Sequence, residues 1–251
     1  MRKNIQENLD NEIFQKKVLA FAAHPDDLEF YAGGALAKLA ESNRVYAVIV
    51  TGGEKGSSDT RNSEYAVRQL RREEQKRAAK VLGLRKVEFL NHKDGSLVNS
   101  SKLRNKMNRI ILKYTPEVLF TFDPWNINQI HPDHRAVGFS VLDSIIKVNI
   151  EGRSKIYNRG VKTIYLYDTL KPNIFVDITS YWDKKIRANK AHRSQFREFK
   201  RGWDEKERVT IKVSRLYGKM IKTTYAEAFR KIDLDASTRY IHDALDSVKD
   251  L

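Results

Sequence analysis

Val18-Leu19-Ala20-Phe21-Ala22, followed at once by Ala23-His24-Pro25-Asp26-Asp27, is the stretch on which the fold of this chain turns. The first five residues form a short apolar run bounded by polar residues, the pattern of a buried strand. Beyond the acidic pair, Phe30-Tyr31-Ala32-Gly33-Gly34-Ala35-Leu36-Ala37-Lys38-Leu39 has the composition of a helix that opens on two glycines. A histidine and two carboxylates therefore sit where a strand ends and a helix begins. In open α/β sheets that crevice, at the carboxyl ends of the strands, is where ligands bind. His24 and Asp27 are three residues apart, so a single turn can aim both at one cation. Far downstream lies a second cluster, His131-Pro132-Asp133-His134. The two clusters point to a metal site assembled by folding.

Outward from this stretch, strand and helix patterns alternate. Strands are expected at residues 17–23, 45–50, 86–90 and 118–122, the second apolar along its length like the first run, as parallel strands buried on both faces are. Helices are expected at 29–42, at 62–82 with Gly83 as its cap, at 102–114 ahead of Pro116, and at 135–148. A flexible loop at 51–58 and a turn at 91–95 lie between them. This alternation predicts a Rossmann-like α/β single domain, with a mostly parallel sheet and helices on both faces. After residue 150 the pattern changes. Residues 151–160 read as a loop, and 161–167 and 173–178 as further strands. Ser180 is expected to cap a helix running to about residue 200. Residues 213–251 are charged and mostly helical in propensity, around the apolar knot Tyr225-Ala226-Glu227-Ala228-Phe229. The reading is one domain over 1–251: a core over about 17–200, and a charged helical C-terminal extension over about 201–251.

With 251 residues, the chain is long enough for a full core. It is 41% hydrophobic and 31% charged, as globular proteins are. It has no cysteine, so any metal must take His, Asp or Glu ligands. No apolar run approaches the roughly 20 residues of a membrane span, and the polar first ten residues do not read as a secretory signal. The expectation is a cytoplasmic protein. The formal net charge is +15. Such a surplus suits an anionic partner or a solvated basic surface. It is spread along the chain, which favours the second, although it is densest over residues 184–222. A basic nucleic-acid-binding protein is the alternative, on the strength of Phe196, Phe199 and Trp203 among basic residues. No Gly-rich phosphate loop follows any strand, so no nucleic acid is expected.

Two histidines and one carboxylate make a three-ligand site with an open position, the catalytic form of a zinc centre. Bound zinc brings the pKa of its water to roughly 7 and polarises a carbonyl. A spare carboxylate can take the water's proton as general base, and a spare histidine can steady an oxyanion or protonate a leaving amine. The clusters thus hold the parts for hydrolysing an amide or ester. Spacing does not choose between Asp26 and Asp27, nor between His131 and His134. Helix capping by Asp27 accounts for one cluster but not for a matching pair. The same residues also fit a non-haem Fe(II) site of two histidines and one carboxylate, although the alternation of strand and helix argues against that class. His92 and His242 have no partners nearby in sequence and read as ordinary surface or core histidines. Trp125, just before the second cluster, reads either as a platform for a sugar ring or as a core tryptophan.

Ala23-His24-Pro25-Asp26-Asp27 and His131-Pro132-Asp133-His134-Arg135 resemble the two signature motifs of the PIG-L/LmbE-like de-N-acetylases. These are zinc-dependent enzymes that remove acetyl groups from N-acetylglucosamine units. Arg71-Arg72-Glu73-Glu74 with Ala78-Ala79 and Leu82-Gly83, His192-Arg193-Ser194-Gln195, and the knot at 225–229 are similar to further motifs of the family. The resemblance implies one Zn2+ per chain, held by His24, Asp27 and His134. It implies Asp26 as general base, and His131 steadying the oxyanion under the orientation of Asp133. Arg71 would face the substrate pocket, with His192 near it. The substrate so implied is a small N-acetylated amino-sugar: a free sugar, a chito-oligosaccharide, or a thiol-precursor or inositol glycoside. The basic surface would suit an acidic aglycone such as malate or phosphoinositol. Gly52 departs from the pattern, since family members often carry aspartate there. The charged C-terminal region offers an interface for a homo-oligomer.

Overall fold

Strands that alternate with helices or crossing loops are what a parallel sheet requires, and the apolar runs Lys17–Ala22, Arg44–Thr51 and Val118–Phe122 lie inside it. The computed structural model describes residues 13–56, 63–150, 160–197 and 202–234. The strands are β1 (Lys17–Ala22), β2 (Arg44–Thr51), β3 (Lys86–His92), β4 (Val118–Phe122), β5 (Thr163–Tyr167), β6 (Ile174–Asp177) and β7 (Ala226–Asp233). They join in one seven-stranded sheet of order β3-β2-β1-β4-β5-β7-β6. Pairing is parallel from β3 to β5, and β7 runs antiparallel to both of its neighbours. The helices are α1 (Asp27–Leu39), α2 (Glu64–Leu82), α3 (Ser101–Tyr114), α4 (Pro132–Ile150), α5 (Trp182–Lys190), α6 (Arg193–Arg197) and α7 (Gly202–Met220). The chain winds from β1 to β3, then returns across β1 to β4 and β5. Right-handed crossovers therefore set α1 and α2 on one face and α3 and α4 on the other. No helix of the described residues is long and apolar enough to cross a membrane.

Local chemistry explains the boundaries. Ser63 and Ser100 cap α2 and α3 by accepting the N–H groups of Ala66 and Leu103, each at 3.2 Å. Gly83 ends α2 in the left-handed conformation at φ 80°. Pro132 opens α4, where its missing N–H costs nothing.

Two expectations fail in the C-terminal part. Residues 226–233 are a strand and not helix, because the knot fills the slot between β5 and β6. There Phe229 meets Phe120 and Tyr165 edge-on, at 5.4 and 6.0 Å. Sheet pairing overrides the helical propensity of the charged residues that follow. Ser180 does not cap a long helix. It lies inside the short 3-10 turn Thr179–Tyr181, whose first N–H is taken by Asp177 at 2.9 Å, and the expected helix breaks into α5 and α6. The helical expectation holds over α7. The readings for residues 1–12, 57–62, 151–159, 198–201 and 235–251 lie outside the described residues.

The knot also reaches across the sheet to α1. Glu227 accepts the N–H groups of Gly34 and Ala35 at 2.9 and 2.8 Å. Lys185 of α5 donates to Glu227 and to the Phe30 carbonyl, both at 2.6 Å. The ion pair is buried, so each charge depends on the other. Gly34 permits this packing, since a Cβ there would stand 2.7 Å from the Ile178 side chain. Glu227→Ala is expected to lower unfolding free energy by about 3–5 kcal/mol in urea titration, because it strands a buried ammonium. Adding Lys185→Met should recover part of that loss. Strictly additive costs would show that the two charges are not coupled.

Candidate metal and catalytic site

The strand order reverses between β1 and β4, so the loops leaving these two adjacent strands open onto one crevice. The first loop turns at once. Asp26 adopts φ 104°, a left-handed conformation that is costly for a residue with a side chain. Its N–H is held by Gln75 Oε1 at 3.0 Å, and its carboxylate by Arg71 at 3.2 Å. Asp27 folds back on its own turn and accepts the His24 N–H at 2.7 Å. In the second loop, Pro132 starts α4 and sets His134 on its first turn. The His134 ring stacks on Phe122 with centroids 4.0 Å apart.

Three donor groups converge. His24 Nδ1 lies 3.2 Å from His134 Nε2, Asp27 Oδ1 lies 3.4 Å from His134 Nε2, and Asp27 Oδ2 lies 3.6 Å from His24 Nδ1. Tetrahedral ligands at about 2.0–2.2 Å from a zinc ion stand about 3.3–3.6 Å apart, so these residues fit such an ion without rearrangement. His24, His131 and His134 also bring ring nitrogens within 4.8 Å of one another, as do donor atoms of His24, Asp94 and Asp133. The two sets share His24, whose other nitrogen, Nε2, faces Asp94 at 3.0 Å and Asp133 at 3.3 Å. That contact places a proton on Nε2 and turns the lone pair of Nδ1 towards His134 and Asp27.

The electrostatics follow from burial and carboxylate density. Burial alone would depress His24, but hydrogen bonds with Asp133, Asp27 and Asp94 outweigh it and hold the imidazole well above its usual value. Burial would raise Asp27, yet the charge of His134 and the bonds to both histidines keep it well below the carboxylate range. Asp94 is brought down to about 2, chiefly by His24 against the opposing effect of burial. The crevice is arranged to hold positive charge. His131 is different: burial and the neighbouring His24 and His134 push it down, so it is a neutral imidazole. Its Nδ1 accepts the Asp133 N–H at 3.2 Å, which leaves Nε2 as a donor.

Not every expected residue stands where the sequence reading put it. The Asp133 carboxylate does not orient His131. It accepts the N–H groups of Gly95 at 2.7 Å and Leu97 at 2.9 Å and faces His24, and only its backbone reaches His131. His192 does not open onto the crevice: it is fully buried and bonded to Glu29 at 3.2 Å. Arg71, 3% exposed, spends its guanidinium on the carbonyls of Gly53 and Pro25, at 2.6 and 2.5 Å, and on Asp26. It is a brace for the loop and not an open contact. Trp125 stands at the rim, 55% exposed, with the Arg230 guanidinium 5.2 Å over its ring. The departure at Gly52 has a steric account. A Cβ there would fall 2.5 Å from Arg68 Cγ and 2.7 Å from Glu54 Oε2. The loop's carboxylate comes from Glu54, which is paired to Arg68 at 2.7 Å and accepts the Asp94 N–H at 3.1 Å.

Sequence reasoning missed three residues. Asp94 sat in what read as a plain turn. Gln75 and Glu29 carried no signal except their place on helices. Gln75 donates to Glu29 at 2.7 Å, and Glu29 meets His192, so a buried chain of polar groups backs the Asp26 peptide.

Comparison with known proteins agrees with this frame. The family described as PIG-L, GlcNAc-PI de-N-acetylase, matches residues 19–145, which contain both clusters. Diacetylchitobiose deacetylase of Thermococcus kodakarensis is 33% identical over 229 residues, covering 88% of this chain and 85% of that protein. The solved structure of N,N'-diacetylchitobiose deacetylase from Pyrococcus horikoshii, complexed with its inhibitor, superposes with a TM-score of 0.80 at 33% identity, over 87% of this chain and 84% of that one. The 4-oxalmesaconate hydratase of Pseudomonas putida is 30% identical over 193 residues, 69% of this chain and 72% of that protein.

Because Asp94 and Asp133 fix the imidazole that faces the donor triangle, replacing either by alanine is expected to weaken divalent-metal retention by about 10- to 100-fold. Competition with a chromophoric chelator measures it. Unchanged affinity in both variants would show that these carboxylates do not orient His24.

Proposed function

This chain belongs to the GlcNAc-PI de-N-acetylase (PIG-L) family, and we propose that it removes the acetyl group from an N-acetylglucosamine unit of a small saccharide such as diacetylchitobiose. The observation that carries the reading is the triangle of His24 Nδ1, the Asp27 carboxylate and His134 Nε2, with Asp26, held by Arg71 and Gln75, and His131 beside it. Zinc, one ion per chain on those three residues, is the metal we assign; when bound it supplies Lewis acidity to the acetyl carbonyl and brings water to ionise near neutral pH. In this reading Asp26, pinned by Arg71 and Gln75, takes the proton from the attacking water. His131 donates from Nε2 to the carbonyl oxygen as that oxygen gains negative charge. Asp26 then passes its proton to the sugar nitrogen as the C–N bond breaks, leaving acetate and a free amine. Asp94 and Asp133 keep His24 in its tautomer, a positioning role in place of the contact first expected between Asp133 and His131.

A hydratase at 30% identity shows that relatives of this chain carry other chemistry, so the reaction itself has to be tested. Purified protein with zinc is expected to release acetate from N-acetylglucosamine or diacetylchitobiose, and to stop after chelation. Asp26→Asn should retain metal and lose about 10²- to 10⁴-fold in kcat, whereas Asp27→Ala should lose the metal. Metal analysis and an acetate assay on the two variants check this together. Metal retained with full activity in both would overturn the roles.

A further inference from the structure

The loop that carries His131 is held by little apolar contact. It runs from the end of β4 to the start of α4, and its side chains Trp125, Ile127 and Ile130 are 55, 87 and 85% exposed. A segment of this kind opens easily unless polar groups hold it. Two of its polar groups reach the same residue beyond the loop. β5 runs parallel to β4 with Tyr167 opposite Phe122, so Asp168 follows β5 where the loop leaves β4. The Asp168 carbonyl accepts the Asn126 amide at 2.8 Å, and its carboxylate accepts the Gln129 amide. The Gln129 oxygen in turn accepts the His131 N–H at 2.8 Å. We propose that Asp168 and Gln129 are positioning residues for His131, fixing where its imidazole stands beside the donor triangle. The proposal rests on the oxyanion role given to His131 above and extends that role to the end of β5.

The direction of the chain is forced. A main-chain N–H can only donate and a carboxylate can only accept, so the amide between them must turn its oxygen to His131 and its NH2 to Asp168. The bond to the carboxylate is charge-assisted and is the stronger of the two. Asp168 itself holds φ 55°, a left-handed conformation uncommon outside Gly, Asn and Asp. In it the carbonyl and the carboxylate of one residue both serve the same loop. The next residue adds a third tie, since the Thr169 hydroxyl donates to Asp123, the first residue of the loop, at 2.5 Å.

Asp168 also lines a cavity of about 350 Å³, together with Lys185, Glu227 and Tyr217. Its carboxylate therefore stands beside open space and not in close packing, and its hold on the loop comes from hydrogen bonds and not from filling volume. His131 would donate to an oxygen that gains its charge only in the transition state, so a displaced imidazole costs kcat more than KM. His24, Asp27 and His134 lie outside this chain of bonds, so the metal site should be spared.

The test reverses the polarity of the chain in the zinc-loaded protein. Gln129→Glu sets two carboxylates face to face and should lower kcat on diacetylchitobiose about 10- to 100-fold, with KM and zinc content near wild type. Asp168→Asn should cost less than about threefold by itself, since its amide oxygen still accepts from Gln129 and asparagine tolerates the left-handed backbone. In the double variant that asparagine turns its NH2 to the introduced carboxylate, and kcat should return to within about threefold of Asp168→Asn alone. Exchange of the His131 amide, followed by NMR, should quicken in Gln129→Glu and slow again in the double variant. Wild-type kcat in Gln129→Glu, no recovery in the double variant, or zinc lost along with kcat would overturn the proposal. If Gln129→Glu does not fold, Asp168→Gly takes its place, keeping the backbone and removing the carboxylate: a lower kcat at unchanged KM would uphold the proposal and an unchanged kcat would refute it. If wild type releases no acetate, the deacetylase reading fails, and the anchor is judged by amide exchange alone. Protection of the His131 amide lost in Gln129→Glu and regained in the double variant would uphold it, and unchanged protection would refute it.

Discussion

A buried imidazole with carboxylates on both sides is the interaction on which the rest of the crevice depends. His24 is nearly inaccessible, and its two nitrogens serve different neighbours. Nε2 is claimed by Asp94 and Asp133, so Nδ1 is left for the space shared with Asp27 and His134. Burying three carboxylates and two histidines so close together is unfavourable unless positive charge is shared among them. In this fold the carboxylates come from three different loops. Their mutual attraction to His24 ties the ends of β1, β3 and β4 to one another. The site is thus part of what fixes the carboxyl edge of the sheet, and loosening one loop alters the geometry offered by the other two.

Support for this edge arrives from the C-terminal half. α1 begins in the Asp26-Asp27 turn, and its first two turns are stitched to the body by Lys185 and Glu227. Behind Asp26, Gln75, Glu29 and His192 form a buried polar chain in which each member needs the next to satisfy its hydrogen bonds. Asp26 sits in a backbone conformation that a free chain would abandon. The strain persists because Arg71 and Gln75 grip both its carboxylate and its peptide. A carboxylate held in this way has little freedom to collapse onto the neighbouring histidines.

The parts legible in the sequence were those with one-dimensional signals. β1, β2 and β4 read as continuous apolar runs because they are covered on both faces, and the two His-Asp clusters were visible because each follows such a run. That Asp27 and not Asp26, and His134 as well as His131, would close on His24 was not legible. It depends on a left-handed turn at Asp26 and on the stacking of His134 against Phe122, neither of which spacing encodes. Asp94 was hidden by its neighbour: Asp-Gly reads as a turn, and it is one, but the turn also presents a carboxylate to His24. β7 was hidden because its strand character comes from the slot between β5 and β6, whereas its own charged residues speak for helix. His192 was legible as part of a motif and misleading as to place. Motifs record what must be kept, and a fully buried hydrogen-bond partner must be kept as surely as a group that meets solvent.

Net charge misled for a related reason. A surplus of +15 invited an acidic ligand, yet the surfaces around the donor triangle are dominated by carboxylates. Exposed lysines and arginines act through water and are screened within about a Debye length, roughly 8–10 Å at physiological salt. Groups lining a cavity act through far less solvent and set the local potential. Lys185 illustrates the point, since its charge lies against Glu227 and contributes almost nothing to the field in the cavity it lines. The global charge therefore bears on solubility and non-specific encounters, while the choice of ligand falls to the few charged groups buried around the donor triangle.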